Sequence, residues 1–342
     1  MDATIGQVAK KAGVSKATVS RVLNDSKPVS KDTRLKVLEA IKELNFKPNP
    51  AARSLVSKKS RTIGVVVTDI ANLFVSVLVK GIEEIAHSSG YNIFICNSHG
   101  SPEKEIDLLM MLKDKRVDGI IFLTSNLLKE HKSFFAISYL PAALVNVSCN
   151  QDRLIGIRID NYRAAFDMTS YFLEKGYTRV GMIRGSLADQ YTGRDRFVGY
   201  WDALDKHGIV YDEELVKTGS LETIDGYLAT KLLLGKNAYP EALFVACDLM
   251  AFGAIKAIID HGLRVPGDIE VAGFDDVPMA SYYHPTLTTV RQPIEEMGRL
   301  ASEKLIRLIE GDDIDRWEVV LPHKIIFRDS TAGKGRVEKP IV

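Results

Sequence analysis

Thr4-Ile5-Gly6-Gln7-Val8-Ala9-Lys10-Lys11-Ala12-Gly13-Val14-Ser15-Lys16-Ala17-Thr18-Val19-Ser20-Arg21-Val22-Leu23-Asn24 is the stretch on which the reading of this chain turns. Thr4 and Gln7 have capping-box spacing: a hydroxyl placed to accept from the third amide of a helix, and an amide side chain that reaches back. A helix starts there, with Val8 and Ala9 on its apolar face. Gly13 ends it, because a residue without Cβ enters the left-handed region at no steric cost. Ser15 caps a second helix that runs through Leu23 and closes at Asn24. Ser30 caps a third, in which Leu35, Val37, Leu38, Ile41 and Leu44 recur at three- and four-residue spacing. Three short helices with a glycine-containing turn between the first two form a helix-turn-helix.

In that motif the start of the second helix enters the DNA major groove. Here it carries Lys16, Ala17, Thr18, Ser20 and Arg21. Lys16 and Arg21 offer donors to guanine, Ala17 a methyl contact to thymine, and Ser15, Thr18 and Ser20 hydroxyls to phosphate or base edges. For Lys16 the plain alternative is a solvated surface lysine; its place at the helix start favours contact. Val8, Val14, Val19 and Leu23 read as the core that holds the helices together.

Charge supports this reading. The 342 residues, room for about two or three domains, carry a net charge of only +1. Residues 1–62, however, hold 14 Lys and Arg against five Asp and Glu, a net +9, and the remainder is therefore −8. Chance clustering aside, that segregation joins a basic module for a polyanion to an acidic body with another task. No stretch approaches the roughly 18 apolar residues of a membrane span, and no apolar signal segment opens the chain. A cytoplasmic protein without membrane contact is expected. Cys96, Cys149 and Cys247, far apart and each in an apolar run, read as free buried thiols.

Between head and body, residues 47–59 read Lys-Pro-Asn-Pro-Ala-Ala-Arg-Ser-Leu-Val-Ser-Lys-Lys. Asn49 suits an N-cap and Pro50 the first helical position. So short a helix forms only against a partner. One reading is a plain linker; the other is a hinge helix that folds on DNA and wedges Leu55 between base steps of the minor groove.

After Arg61 short apolar runs alternate with amphipathic stretches. The strands expected are Ile63–Val67, Ile93–Cys96, Gly119–Leu123, Leu144–Val147, Val180–Ile183, Leu243–Ala246 and Ile269–Phe274. Such βαβ repetition builds parallel sheets buried on both faces. Gly90-Tyr91-Asn92-Ile93 and Gly176-Tyr177-Thr178-Arg179 echo each other, which points to two similar subdomains. Open parallel sheets bind ligands at the carboxyl ends of their strands, where Asp69, Asp248 and Asp275 stand. Carboxylates with a guanidinium, here Arg196, complement the vicinal hydroxyls of a sugar. Phe74 would take the ligand's apolar face, or else serve ordinary packing. No phosphate-binding glycine loop, metalloprotease pair or nucleophile elbow is present, and the seven histidines lack metal-ligand spacing. Recognition without catalysis, cofactor or metal is the expectation.

The motifs together carry a resemblance. Val8-Ala9-Lys10-Lys11-Ala12-Gly13-Val14-Ser15 and Thr18 to Asn24 are joined by Asn45-Phe46-Lys47-Pro48-Asn49 and Ala52-Arg53-Ser54-Leu55. Val117-Asp118-Gly119-Ile120-Ile121, Ala272-Gly273-Phe274-Asp275-Asp276 and Leu287-Thr288-Thr289-Val290-Arg291-Gln292-Pro293 extend them. From about residue 4 to Thr331 the chain resembles the LacI/GalR family of bacterial transcription regulators. The resemblance implies an α/β protein: a helix-turn-helix head (1–47), a hinge helix and linker (48–61), and a periplasmic-binding-protein-like body of two Rossmann-like parallel-sheet subdomains (62–331). The N-subdomain is expected at about 62–159 and 291–321, the C-subdomain at about 160–290 and 322–331, and 332–342 as a mobile tail.

It further implies a DNA-binding set of Thr4, Ser15, Lys16, Ala17, Thr18, Ser20, Arg21, Asn24, Arg53, Ser54 and Leu55. The implied effector set is Asp69, Leu73, Phe74, Tyr191, Thr192, Arg196, Leu221, Asp248 and Asp275. Gly6-Gln7 departs from the family's usual aromatic-or-Lys then Asp, which should weaken the first helix, and Leu73 replaces a usual Pro. The partners implied are operator DNA, a second copy of the chain and a sugar-like effector, free or phosphorylated. The dimer seam is expected on helix faces around Phe74 to Ala86, Ile106 to Met111, Met250 to Ile259 and Met279 to Tyr283. Gly81 to Ser98 and Leu321-Pro322-His323-Lys324-Ile325 with Phe327-Arg328 resemble the catabolite-control branch, whose members bind a phosphorylated carrier protein on the N-subdomain. That is the alternative reading, with a solute-binding protein the remote one.

Overall fold

Helix capping decides where the N-terminal unit folds. In the computed structural model, which describes residues 3–24, 28–46, 59–148, 153–235 and 239–331, helix α1 (Ile5–Ala12) starts at Thr4. The Thr4 amide donates to Gln7 Oε1 at 2.7 Å and the Gln7 amide to Thr4 Oγ1 at 3.4 Å. Gln7 therefore completes a capping box instead of weakening the helix. Gly13, at φ 66°, closes it. Ser15 Oγ accepts from the Thr18 amide at 3.1 Å and starts α2 (Lys16–Asn24); Ser30 caps α3 (Lys31–Glu43). Val8, Ala9, Val19, Val22, Val37 and Ala40 form the core, with Val14 and Leu23 packed at its edge. Leu35 and Leu38, expected on the inward face of α3, are exposed. Residues 47–58, with Arg53, Ser54, Leu55 and the hinge helix, lie outside the described residues, as do Cys149 and 332–342.

The second unit begins at Arg61. Its first sheet comprises β1 (Thr62–Val67), β2 (Asn92–Asn97), β3 (Gly119–Leu123), β4 (Ala142–Val145), β5 (Leu154–Ile159) and β11 (Glu318–Leu321), in the order β11-β5-β4-β3-β1-β2. All its pairings are parallel. Helices α4 (Leu73–Ser88) and α11 (Ile294–Glu310) pack on one face, α5 (Pro102–Asp114) and α6 (Lys129–Ser138) on the other. The second sheet comprises β6 (Val180–Arg184), β7 (Val216–Thr218), β8 (Ala242–Val245), β9 (Glu270–Asp275), β10 (Thr288–Arg291) and β12 (Lys324–Ile326), in the order β12-β10-β9-β8-β6-β7. Only the β10–β12 pairing is antiparallel. Helices α7 (Asn161–Glu174) and α8 (Arg196–Lys206) cover one face, α9 (Thr223–Leu234) and α10 (Asp248–Asp260) the other.

The chain passes between sheets three times, after Ile159, after Arg291 and after Leu321. Because parallel strands all point one way, the crossings bring both sets of strand carboxyl ends to one cleft. Gly90 (φ 76°) and Gly176 (φ 86°) end α4 and α7 equivalently, and each is followed by a buried tyrosine, Tyr91 and Tyr177. The echo in the sequence is thus a structural repeat.

Candidate functional site

The head presents a polar ridge. Val19 and Val22 turn α2 inward, so Lys16, Ala17 and Arg21 are exposed, and Ser15 beside them is exposed as well. Thr18 and Ser20 are half-buried, with Thr18 Oγ1 2.9 Å from Ser15 Oγ. Thr4 and Ser15 spend their hydroxyls on helix caps while remaining on the surface.

A cavity lies between the two sheets of the body. From the first sheet it is lined by Thr68, Asn72, Phe74, Leu123, Thr124, Ser125 and Asn146. From the second come Thr192, Arg196, Leu221, Cys247 and Asp275, and Gln292 comes from the second crossing. Among the described residues, Asn126 Nδ2 donates across the cleft to the Ala188 carbonyl at 3.1 Å, and the Tyr191 hydroxyl to the Ser148 carbonyl at 3.2 Å.

Arg196 is the cavity's cation and is only 2% exposed. Its Nε donates to Asn161 Oδ1 at 2.8 Å, Nη1 bonds the Ala246 carbonyl, and the guanidinium lies 3.6 Å over the Phe274 ring centre. Burial lowers its pKa, partly offset by Asp275. Asp275 accepts from Gln292 Nε2 at 2.7 Å. Burial lifts its carboxyl to about 6, against the opposing pull of Arg196 and the Gln292 bond. Its φ of 121° is one that L-residues seldom adopt, and such strain persists where surrounding structure overrides it.

The three strand-end aspartates therefore separate. Asp275 lines the cavity. Asp248 does not: it is buried behind the wall, with Oδ1 accepting from Thr289 Oγ1 at 2.6 Å and Oδ2 from the Val277 amide at 2.9 Å. Burial, with Asp275 nearby, raises its pKa well above the usual carboxylate range. Asp69 accepts from the Ala71 amide at 3.1 Å and Asn97 Nδ2 at 3.4 Å, shaping the turn into α4 instead of facing the ligand space. Leu73 packs on the core of the second sheet and Tyr191 on that of the first, so both act as cross-cleft contacts outside the lining.

Residues 4–49 match the family described as "Bacterial regulatory proteins, lacI family", and residues 169–331 match "Periplasmic binding protein-like domain". The HTH-type transcriptional regulator RegA of Clostridium saccharobutylicum is 39% identical over 331 residues, spanning 97% of this chain and 100% of that protein. Catabolite control protein A of Priestia megaterium is 38% identical with the same coverage. The chain belongs to the lacI family. A crystal structure of the lac repressor dimer bound to operator and the anti-inducer ONPF superposes with a TM-score of 0.88 at 29% identity, covering 97% of this chain and all of that one. The lacI-family chain is accordingly a transcription regulator and not an enzyme.

Sequence reasoning missed part of the lacI-family cavity: Thr124, Ser125, Asn146 and Gln292 line it, and Asn161 holds Arg196. Thr124 and Asn146 each follow directly on a buried strand, β3 and β4, so the strand-end rule applied to neutral polar residues finds them. Exposure differs along the helix faces on which a dimer seam is expected. Met250, Ile255 and Ile258 are core residues of α10, whereas Ile224, Leu228 and Leu232 make an exposed i, i+4, i+8 stripe on α9, and Ile259, Met279 and Tyr282 are exposed as well.

Proposed function

We propose that this transcription regulator binds a pseudo-palindromic operator as a homodimer, acting as a repressor, with operator affinity set by a small effector in the cavity between the sheets. The observation that carries the reading is the pairing of two unlike sites in one chain. One is an exposed Lys16/Ala17/Arg21 ridge on a basic head; the other is a buried Arg196–Asp275 pair in a cavity lined from two sheets. A dimer places two ridges on a two-fold axis, which fits a palindromic site, and the exposed apolar residues of α9, α10 and the Met279–Tyr282 turn supply a face for it. A ligand bridging both sheets shifts the protein between states by its differential affinity, typically about 1–3 kcal/mol.

The test is selection of an operator from random duplexes, followed by anisotropy titrations with and without candidate effectors. Selection of no preferred sequence, or an operator affinity unmoved by any ligand that binds the body, overturns the proposal.

A second reading, control by a phosphorylated carrier protein, draws support from the catabolite control protein A relative. On the α4/α11 face, Lys80 pairs with Glu295 at 3.1 Å and Arg299 with Glu84 and Glu295 at 2.7 and 2.9 Å. Titrating phospho-carrier into the operator complex decides between the two readings: a rise in operator affinity favours the second.

A further inference from the structure

We infer that Glu105 and His131, buried behind the cavity wall, are positioning residues for closure of the cleft: they clamp the two ends of the 124–128 turn, from which Asn126 reaches across to the second sheet. The inference deepens the effector reading above, because the cleft they act on is the one an effector would occupy.

Glu105 lies on α5 and His131 on α6, the two helices on the outer face of the first sheet. They are 3% and 0% exposed, and neither lines the cavity. Glu105 Oε2 accepts from Thr124 Oγ1 at 3.2 Å, and His131 Nε2 stands 3.2 Å from the same oxygen. At the other end of the turn, His131 Nδ1 accepts from the Leu128 amide at 3.3 Å, with the ring edge-on to Phe122 at 5.0 Å between centres. The pair thus holds both Thr124, which leaves the end of β3, and Leu128, which starts α6. Between them Thr124 Oγ1 accepts from the Asn126 amide at 3.4 Å, and Asn126 sends Nδ2 to the Ala188 carbonyl at 3.1 Å. A hydroxyl has one proton to give; committed to Glu105, it leaves Thr124 Oγ1 lone pairs for the Asn126 amide. Without that carboxyl the hydroxyl can rotate toward the cavity, and the turn loses a fixed point.

Packing alone does not account for the pair. Among the described residues Glu105 makes no ion pair with a lysine or arginine. Burying a carboxyl without a cation is costly, and an apolar side chain of similar volume would serve the core at least as well. What the carboxyl and the imidazole add is a fixed set of acceptors, and a satisfied buried polar network rigidifies the arrangement around it.

Single-molecule FRET on the full chain tests this. Dyes carried on unnatural side chains replace Ile137 and Val210, exposed sites on the first-sheet and second-sheet sides of the cleft, and the labelled chain is diluted into excess unlabelled chain. Closed and open dwell times give the closed-to-open ratio whichever state predominates. Glu105→Leu should lower that ratio about fivefold, the worth of one intramolecular hydrogen bond. Glu105→Gln, whose side-chain oxygen can still accept from Thr124, should retain it. In an Asn126→Ala background Glu105→Leu should change nothing further, because the residue it positions is gone. An equal fall in both backgrounds assigns Glu105 to packing alone and overturns the inference, as does a ratio that Glu105→Leu leaves unchanged. Thr124→Val cuts the link while keeping the carboxyl; it should reproduce the fall, and it carries the same test if Glu105→Leu does not fold. No effector enters the measurement, so the clamp can fail while the effector reading stands, and the operator titrations can fail while the clamp holds.

Discussion

Asp275 concentrates the energetics of the cavity in one side chain. Its folded pKa of about 6 lies above the ordinary carboxylate value because burial penalises the ionised form more than Arg196 and Gln292 relieve it. A carboxyl raised in this way adds stability that is full below about pH 4 and is lost as pH climbs through about 6. The shift corresponds to about 3 kcal/mol at neutral pH by linkage. Unliganded protein should therefore resist urea better at pH 5 than at pH 7.5. Asp275→Asn should flatten that part of the slope, leaving what Asp248 contributes, and should abolish any effector response with DNA binding intact. Equal slopes for the two proteins would refute the assignment. Arg21, exposed and outside the head core, predicts the converse. Arg21→Ala should cost about 1–3 kcal/mol of operator preference while unfolding and ligand binding are unchanged. At this scale the sequence revealed what is chemically loud. Arg196 and Asp275 stood out as charges at strand and helix ends, but Thr124 and Gln292 are neutral, and what they present follows from Glu105 and Asp275, which take their donors.

Among the elements, helix pairing depends on glycines where two backbones nearly touch. On α9 and α10 a Cβ at Gly253 would fall 2.0 Å from the Thr223 carbonyl oxygen, and one at Gly226 the same distance from that of Met250. Backbone cannot swing aside as a side chain does, so Gly253→Ala should destabilise the body by about 1–3 kcal/mol. Gly235→Ala, whose Cβ would meet nothing nearer than 3.5 Å, serves as the control. A shared denaturation midpoint for the two variants would contradict the close crossing. The separation of α9 from α10 would also displace Ile224, Leu228 and Leu232, so sedimentation of Gly253→Ala should show a weakened dimer if that stripe is the seam. Long apolar strands such as β1 and β3 were readable because both their faces are covered. By contrast β7, β11 and β12 are short and half-exposed, and β5 is interrupted by Gly156 and by Arg158, which pairs with Glu318 of β11 at 2.8 Å. No local periodicity marks such strands, since a pairing partner far along the chain is what makes them strands. The exposed Leu35 and Leu38 on α3 were misread for the opposite reason: their spacing fits an apolar face, but a small three-helix unit has too little core to bury every leucine.

For the whole molecule, the +9 and −8 halves divide the work between a surface that meets phosphates and a body that repels them. Salt dependence should follow the head alone: each head cation contacting phosphate contributes about 0.9 to the slope of log affinity against log salt. Neutralising body acids such as Glu83 or Glu303 should leave that slope unchanged. The body's response to ligand depends instead on how firmly the cleft is shut. Among the described residues, Asn126 to Ala188 and Tyr191 to Ser148 bond from one sheet to the other, both outside the ligand space. Tyr191→Phe removes one of them and keeps the ring packed on the first sheet's core, so closure should lose about 1 kcal/mol. Effector affinity should then fall about fivefold, because binding must supply the closure energy the tyrosine no longer provides. That fivefold loss belongs to a cleft open without ligand; in a cleft already firmly closed the same substitution leaves effector affinity nearly unchanged. Calorimetric titration of the wild type and of Tyr191→Phe thus reads out the resting state of the cleft.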